Sequence, residues 1–218
     1  MNPLNKHNKG ILFIDKPSGR SSFSIVAEVR RKLDIKKVGH AGTLDPFATG
    51  LLIILVGKEN TKKAAAFLGK NKTYEATIDL SSTSTTGDPE GEIVKVSCQP
   101  PSQEEIVNVL KQFEGEQLQK PHMFSAVKIK GERAYKLARE GKQPEIEPKK
   151  IIIYKLDFIS YNFPFLRIKT KVSSGTYIRV LAEDIGKALY CGGYLTELRR
   201  TSIGEFKIEE AISPDDIK

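Results

Sequence analysis

Cysteine is scarce in this chain of 218 residues. Cys98 and Cys191 stand far apart without CxxC spacing, so neither a disulfide framework nor a thiolate metal site is expected. Histidine is equally sparse: His7, His40 and His122 form no ligand-like pair, which leaves no metal site indicated. Few and unpaired cysteines fit a reducing, cytoplasmic setting. Long apolar runs are missing too. The longest, LLIILV at 51–56, falls far short of the roughly 20 residues a membrane helix needs. The first ten residues, MNPLNKHNKG, lack the apolar core of a signal peptide. A membrane-spanning or secreted protein is therefore not expected, and no Ser-His or Cys-His constellation suggests a hydrolase of those types.

Positive charge is present in excess. Lys and Arg number 35 against 27 Asp and Glu, a formal charge of +8, and nucleic acid becomes the leading class of partner. The length allows one large domain, or two small lobes sharing a sheet.

Short strands and helices alternate along the chain. GILFIDKP reads as a strand ended by Pro17, followed by SSFSIVAEVRRKL, a helix with Ile25, Val26, Val29 and Leu33 on one face behind a serine cap. LLIILVG has the two-sided hydrophobicity of a central strand, and YEATIDL and EIVKVSC are further strands around the turn TGDPEG. The polar tract SSTSTT before that turn reads as solvated loop. SQEE at 102–105 forms a capping box ahead of Ile106, Val109, Leu110 and Phe113. KKIIIYKLDFISYN and FLRIKTKVSS form an antiparallel pair turned at Asn162 to Pro164. TYIRVLAEDIGKAL is a helix with Ile178, Leu181, Ala182 and Ile185 inward, closed by Gly192 and Gly193. No repeat or linker appears, and a single mixed domain is the expectation.

GHAGTLDPFATG, residues 39–50, is the least ordinary stretch. Gly39, Gly42 and Gly50 permit backbone conformations that other residues resist, and Asp45 is restrained by Pro46, so a carboxylate can be rigidly held there. An isolated Asp-Pro is more often an Asx-type turn.

These segments carry a resemblance. KPSG at 16–19, GHAGTLDPFATGLL at 39–52, KTYEAT at 72–77, TGDPEG at 86–91, FSAVKIKGERAYKLAREG at 124–141, SSGTYIRVLAEDIG at 173–186 and LRRTSIGEF at 198–206 resemble, in this order, the motif series of the bacterial tRNA pseudouridine synthase B (TruB) family. The resemblance implies an α+β class and the pseudouridine synthase fold, a mixed, mostly antiparallel sheet flanked by helices and loops. It implies a basic, thumb-like insertion at about 120–148, and a catalytic domain over 1–218 without the C-terminal RNA-binding domain of many relatives. The activity implied is isomerisation of uridine 55 in the T-loop of tRNA by base flipping, performed by a cytoplasmic monomer whose partner is the tRNA T-arm. The reaction breaks and remakes a glycosidic bond and calls for no cofactor, metal or membrane.

The same resemblance distributes roles. Asp45 is the catalytic carboxylate, as nucleophile or as charge partner, and Arg179 pairs with it. Tyr74 stacks on the flipped uracil. Tyr177 lines the pocket and Leu198 walls the base. His40 faces the RNA, a role favoured by the little cover that Gly39 and Ala41 give it. Lys128, Lys130, Arg133 and Arg139 of the insertion meet phosphates, and Lys16 and Lys72 in their motifs are assigned to substrate binding. Two departures stand out. KPHMFSA places Lys120, His122 and Phe124 where the family usually has a Pro-Pro pair and a tyrosine, and GRSS replaces GxTS, leaving Ser21 or Ser22 to cap the helix. An RNA-binding protein without catalysis and an Asp-dependent nucleoside hydrolase are the other classes compatible with the residues.

Overall fold

The apolar run at 51–56 becomes a strand buried on both faces, and the two core layers around it organise one half of the molecule. In the computed structural model, which describes residues 10–124, 128–129, 131–133 and 146–217 (Lys128, Ile129 and Arg133 by backbone alone), the chain forms two compact units. One comprises Met1–Glu75 with Leu198–Lys218, the other Ala76–Glu197.

In chain order, β1 (Ile11–Lys16) and helix α1 (Ser22–Leu33) precede β2 (Val38–His40) and β3 (Thr49–Val56). Short helices α2 (Lys58–Thr61) and α3 (Ala64–Leu68) lead to β4 (Lys72–Asp79). Then come β5 (Ser82–Ser84), β6 (Ile93–Lys95), α4 (Gln103–Gln112), β7 (Gly115–Gln119), the small hairpin β8 (Lys128–Ile129) and β9 (Glu132–Arg133), and the long pair β10 (Lys149–Asn162) and β11 (Phe165–Val172). Helix α5 (Ile178–Ala188), β12 (Tyr194–Ile203) and β13 (Phe206–Lys207) follow, with 3₁₀ turns at Ile208–Glu210 and Pro214–Asp216.

Within the first unit the strand order is β1-β3-β12-β4, with β2 on β3 and β13 on β12. Successive side chains of β3 point to opposite faces. Leu52, Ile54 and Val56 therefore join Ile25, Val26 and Val29 of α1 in one layer, while Leu51, Ile53 and Leu55 join Phe67 and Ile203 in the other. Each such side chain contributes about 1.5–3 kcal/mol by leaving water. α1 begins as its sequence dictates: Ser21 Oγ accepts the Ser24 N–H at 3.0 Å, a cap worth about 1 kcal/mol.

The second unit has the order β12-β4-β11-β10-β7, since β4 and β12 each change unit along their length. The β10–β11 hairpin turns where expected, with Asn162 opposite Phe165. The capping box at Ser102 and Glu105 is present, and Ile106 and Leu110 are buried. β3 and β12 run parallel; β1–β3, β2–β3, β10–β11, β7–β10 and β12–β13 are antiparallel. The class is α+β with a mixed, mostly antiparallel sheet, as the resemblance implied.

Four expectations need correction. SSTSTT is not solvated loop: Ser82–Ser84 form β5 against β6, and Ser82 is buried. Its polarity serves internal bonds that composition does not reveal. EIVKVSC contributes only Ile93–Lys95 as strand. Helix α5 ends at Ala188 with Leu189 as its C-cap and Tyr190 in the left-handed region (φ 54), so Gly192 and Gly193 lie beyond the cap. Finally, Cys98 and Cys191 are not isolated. They are joined as a disulfide with Cα atoms 5.2 Å apart across 93 residues, because the chain after β6 passes the end of α5. Among the described residues, no helix is long and apolar enough to cross a membrane.

Candidate active site

The loop between β2 and β3 is anchored almost residue by residue. Gly42 and Gly50 adopt φ of +98° and +102°, and a Cβ at Gly50 would drive into the backbone of Arg200; Gly39, within β2, needs no such freedom. Arg200, 1% exposed, donates from Nη2 to the Gly42 carbonyl at 3.1 Å, from Nη1 to Thr43 at 3.3 Å and from Nε to Leu51 at 2.8 Å. Ser22 Oγ donates to the Leu44 carbonyl at 3.0 Å and accepts the Leu44 N–H at 2.9 Å. The Asp45 carbonyl accepts the Ala48 N–H at 3.1 Å. Pro46 accepts from Lys16 Nζ at 3.0 Å and from the Gly19 N–H at 2.9 Å, and Phe47 accepts from Ser18 Oγ at 2.9 Å. Each carbonyl from 42 to 47 has a donor, as backbone withdrawn from water requires. Asp45 itself is half-buried and carries interactions of its own.

Lys16 is thus part of the support of this loop. Its ammonium is fully buried and also donates to the carbonyls of Pro17 at 2.9 Å and Arg20 at 2.6 Å, so it anchors backbone. Lys72 is likewise drawn inward, donating to the carbonyls of Leu68 at 2.9 Å and Lys70 at 2.7 Å. Burial first, then the charge of Arg200, push its pKa down from 10.5 to about 8. Tyr74 is buried on the same face of β4 as Lys72. Leu198 is buried, and its carbonyl accepts from Thr49 Oγ1 at 3.4 Å.

His40 has more cover than its small neighbours suggest. The ring is partly buried and Nδ1 lies out of solvent without a hydrogen-bond partner among the described residues. Desolvation, then the Arg200 charge, hold the imidazole below its ordinary pKa and favour its neutral form.

In the second unit Arg179, on α5, is only 6% exposed and so is not a surface cation. Its Nη1 donates to Asp88 Oδ2 at 3.1 Å and to the Thr86 carbonyl at 2.9 Å, and its Nη2 to the Phe124 carbonyl at 3.1 Å. Asp88 is fixed in turn at Oδ1 by Thr86 Oγ1 at 2.6 Å and the Glu90 N–H at 3.0 Å. This buried charge pair is the element missed from the sequence; TGDPEG signalled a turn, but not a counter-ion for α5. Tyr177 lies partly buried at the start of α5, where the Gln119 amide accepts its N–H at 2.8 Å and donates to its carbonyl at 3.1 Å. His122 Nε2 lies 3.4 Å from Glu183 Oε1.

Of the insertion, Lys128 and Arg133 lie opposite each other in the β8–β9 hairpin, while Lys130 and Arg139 lie outside the described residues. The first unit thus holds a fixed carboxylate-bearing loop, and the second a buried arginine preset by a carboxylate. A held carboxylate is a group that can act as nucleophile or base, and a buried guanidinium one that can bind an anion.

Comparison with known proteins bears on that chemistry. Residues 30–178 match the TruB family pseudouridylate synthase N-terminal domain, and residues 179–218 the tRNA pseudouridylate synthase B C-terminal domain. The tRNA pseudouridine synthase B of Protochlamydia amoebophila (strain UWE25) is 43% identical over 211 residues, covering 97% of this chain and 80% of that protein. The Aquifex aeolicus (strain VF5) enzyme of the same name is 47% identical over 209 residues, covering 94% and 71%. Among solved structures, a chain in a Cbf5–Nop10–Gar1 complex superposes with a TM-score of 0.74 at 30% identity over 94% of this chain. A chain of an H/ACA ribonucleoprotein bound to a substrate RNA containing 2′-deoxyuridine gives 0.72 at 27% over 95%. This chain spans about half, 52%, of the length of each of those two.

Proposed function

This chain belongs to the TruB family of pseudouridylate synthases, which are isomerases, and we propose that it converts uridine 55 in the T-loop of tRNA to pseudouridine with Asp45 as the reactive carboxylate. The observation that carries the reading is the loop itself. Six consecutive carbonyls, residues 42–47, have donors, and the acid among them sits before Pro46 in the motif that resembles the family's. Such anchoring is what a group acting on a bound base needs, because misplacement by about 1 Å can cost a factor of about 100 in rate.

The isomerisation breaks the N1–C1′ bond, turns the uracil while bound, and joins C5 to C1′; a proton leaves C5 and one is gained at N1, so no oxidant or group donor enters the balance. Asp45 supplies negative charge at the glycosidic bond. Arg179, oriented by Asp88, is assigned as the cation for that carboxylate. Tyr74 stacks on the extruded base, a contact worth about 1–3 kcal/mol, with Tyr177 and Leu198 lining its pocket. His40 and the cations of the insertion, Lys128, Lys130, Arg133 and Arg139, face the RNA. The tRNA T-arm is the partner, bound by a monomer acting in the cytoplasm.

A T-arm stem-loop carrying tritium at uracil C5 tests this. The wild-type protein should release tritium without freeing uracil, and Asp45→Asn should bind the RNA and release none. Free uracil would indicate nucleoside hydrolysis; turnover by Asp45→Asn near the wild-type rate would remove Asp45 from the chemistry.

A further inference from the structure

We propose that Ser22 is a positioning residue for Asp45: its hydroxyl holds the peptide plane that leads into the carboxylate-bearing residue. The proposal rests on the assignment of Asp45 as the reactive group.

Ser22 occupies the first turn of α1, one residue after the cap, and Oγ bonds both backbone groups of Leu44. Ser22 is 2% exposed and Leu44 4%, so water cannot replace these bonds. The Leu44 carbonyl belongs to the same planar unit as the Asp45 nitrogen and Cα. Fixing that carbonyl fixes the point from which the Asp45 side chain springs. On the far side, Lys16 and the Gly19 N–H hold Pro46. Asp45 is therefore bracketed, and residues 16–22 supply both brackets.

The two serines of GRSS divide their work. Ser21 caps α1, and Ser22, which helix capping does not need, is turned to the loop. Without its hydroxyl, the N–H and carbonyl of Leu44 stand unpaired in a dry site. The peptide then relaxes toward other partners by rotating about the bonds flanking Asp45, and the carboxylate moves with it.

The test compares wild type, Ser22→Ala, Ser22→Cys and Asp45→Asn on the T-arm stem-loop, measuring kcat, KM and the melting temperature of each. In folded Ser22→Ala, kcat should fall by at least about tenfold with KM within about twofold of wild type. A purely structural role would lower the melting temperature and leave kcat per folded molecule unchanged, and that result overturns the proposal. So does a rise in KM at constant kcat. Should Ser22→Ala not fold at the assay temperature, Ser22→Cys decides: its thiol nearly keeps the shape but is a weak donor and acceptor. Reduced kcat at constant KM then supports positioning, and wild-type kcat overturns it. Loss of turnover in Asp45→Asn with full kcat in Ser22→Ala sinks this inference alone, whereas an active Asp45→Asn sinks the assignment of Asp45 and this role with it.

Discussion

Asp45 and Arg179 are held by the same device in two different settings. Ahead of Asp45, one hydroxyl bonds both backbone groups of Leu44; ahead of Arg179, one side-chain amide bonds both backbone groups of Tyr177. The difference lies in the buried arginine of each region. Arg200, in the first unit, donates to three carbonyls and has no carboxylate partner among the described residues. Its charge therefore acts on its surroundings, depressing the pKa values of Lys72 and His40 in addition to the effect of burial. Arg179, in the second unit, meets the carboxylate of Asp88. An irregular loop needs donors for its carbonyls, and a guanidinium with several donors on one rigid plane supplies them. A single arginine on a regular helix needs a counter-ion instead.

The contrast can be broken in three places. The largest effect should come from Asp88→Ala, which takes the carboxylate at 3.1 Å from the buried Arg179 guanidinium; a loss of about 3–5 kcal/mol is expected in denaturant titration. A loss below about 1 kcal/mol would mean that the pair behaves like an exposed one. Next, Arg200→Met removes the donors of Gly42, Thr43 and Leu51 while keeping bulk. It should cost about 1–3 kcal/mol and lower turnover more than RNA affinity. Equal losses in both would make Arg200 a general support rather than a loop anchor.

The smallest effect is electrostatic. Lys72 has a folded pKa of about 8 against 10.5, so the unfolded chain binds more protons between those values and stability rises with pH across that window. Falling pH removes that contribution as it passes through about 8. Lys72→Met should flatten this slope, and Arg200→Met should narrow the window by letting the folded pKa climb. The ring of His40 should likewise titrate higher in Arg200→Met, as followed by NMR. A His40 titration indifferent to Arg200 would show that burial alone sets it.

How legible the molecule was in its sequence depends on range. Periodicity identified both faces of α1, the two-sided burial of β3, and the capping box of α4, since these follow from neighbours within a few residues. It misread SSTSTT, where polar residues turn inward, and the end of α5, where Tyr190 rather than a glycine takes the left-handed turn. The motif order pointed to the family, and through it to Asp45 and Arg179. It did not expose Asp88, Ser22 or Arg200, nor that the ammonium groups of Lys16 and Lys72 bond backbone carbonyls inside.

By itself, then, the sequence determined the elements, their apolar faces and the membership of the chain in its family, because each is written in local spacing or in short ordered motifs. Only the tertiary structure decided the partnerships: Ser22 with Leu44, Arg200 with Gly42 and Thr43, Asp88 with Arg179, and Cys98 with Cys191. Those partners lie from 22 to 158 positions apart in the chain. Whether such groups meet depends on how strands and helices pack, and packing satisfies buried polar groups with whatever donor or charge the fold brings within reach.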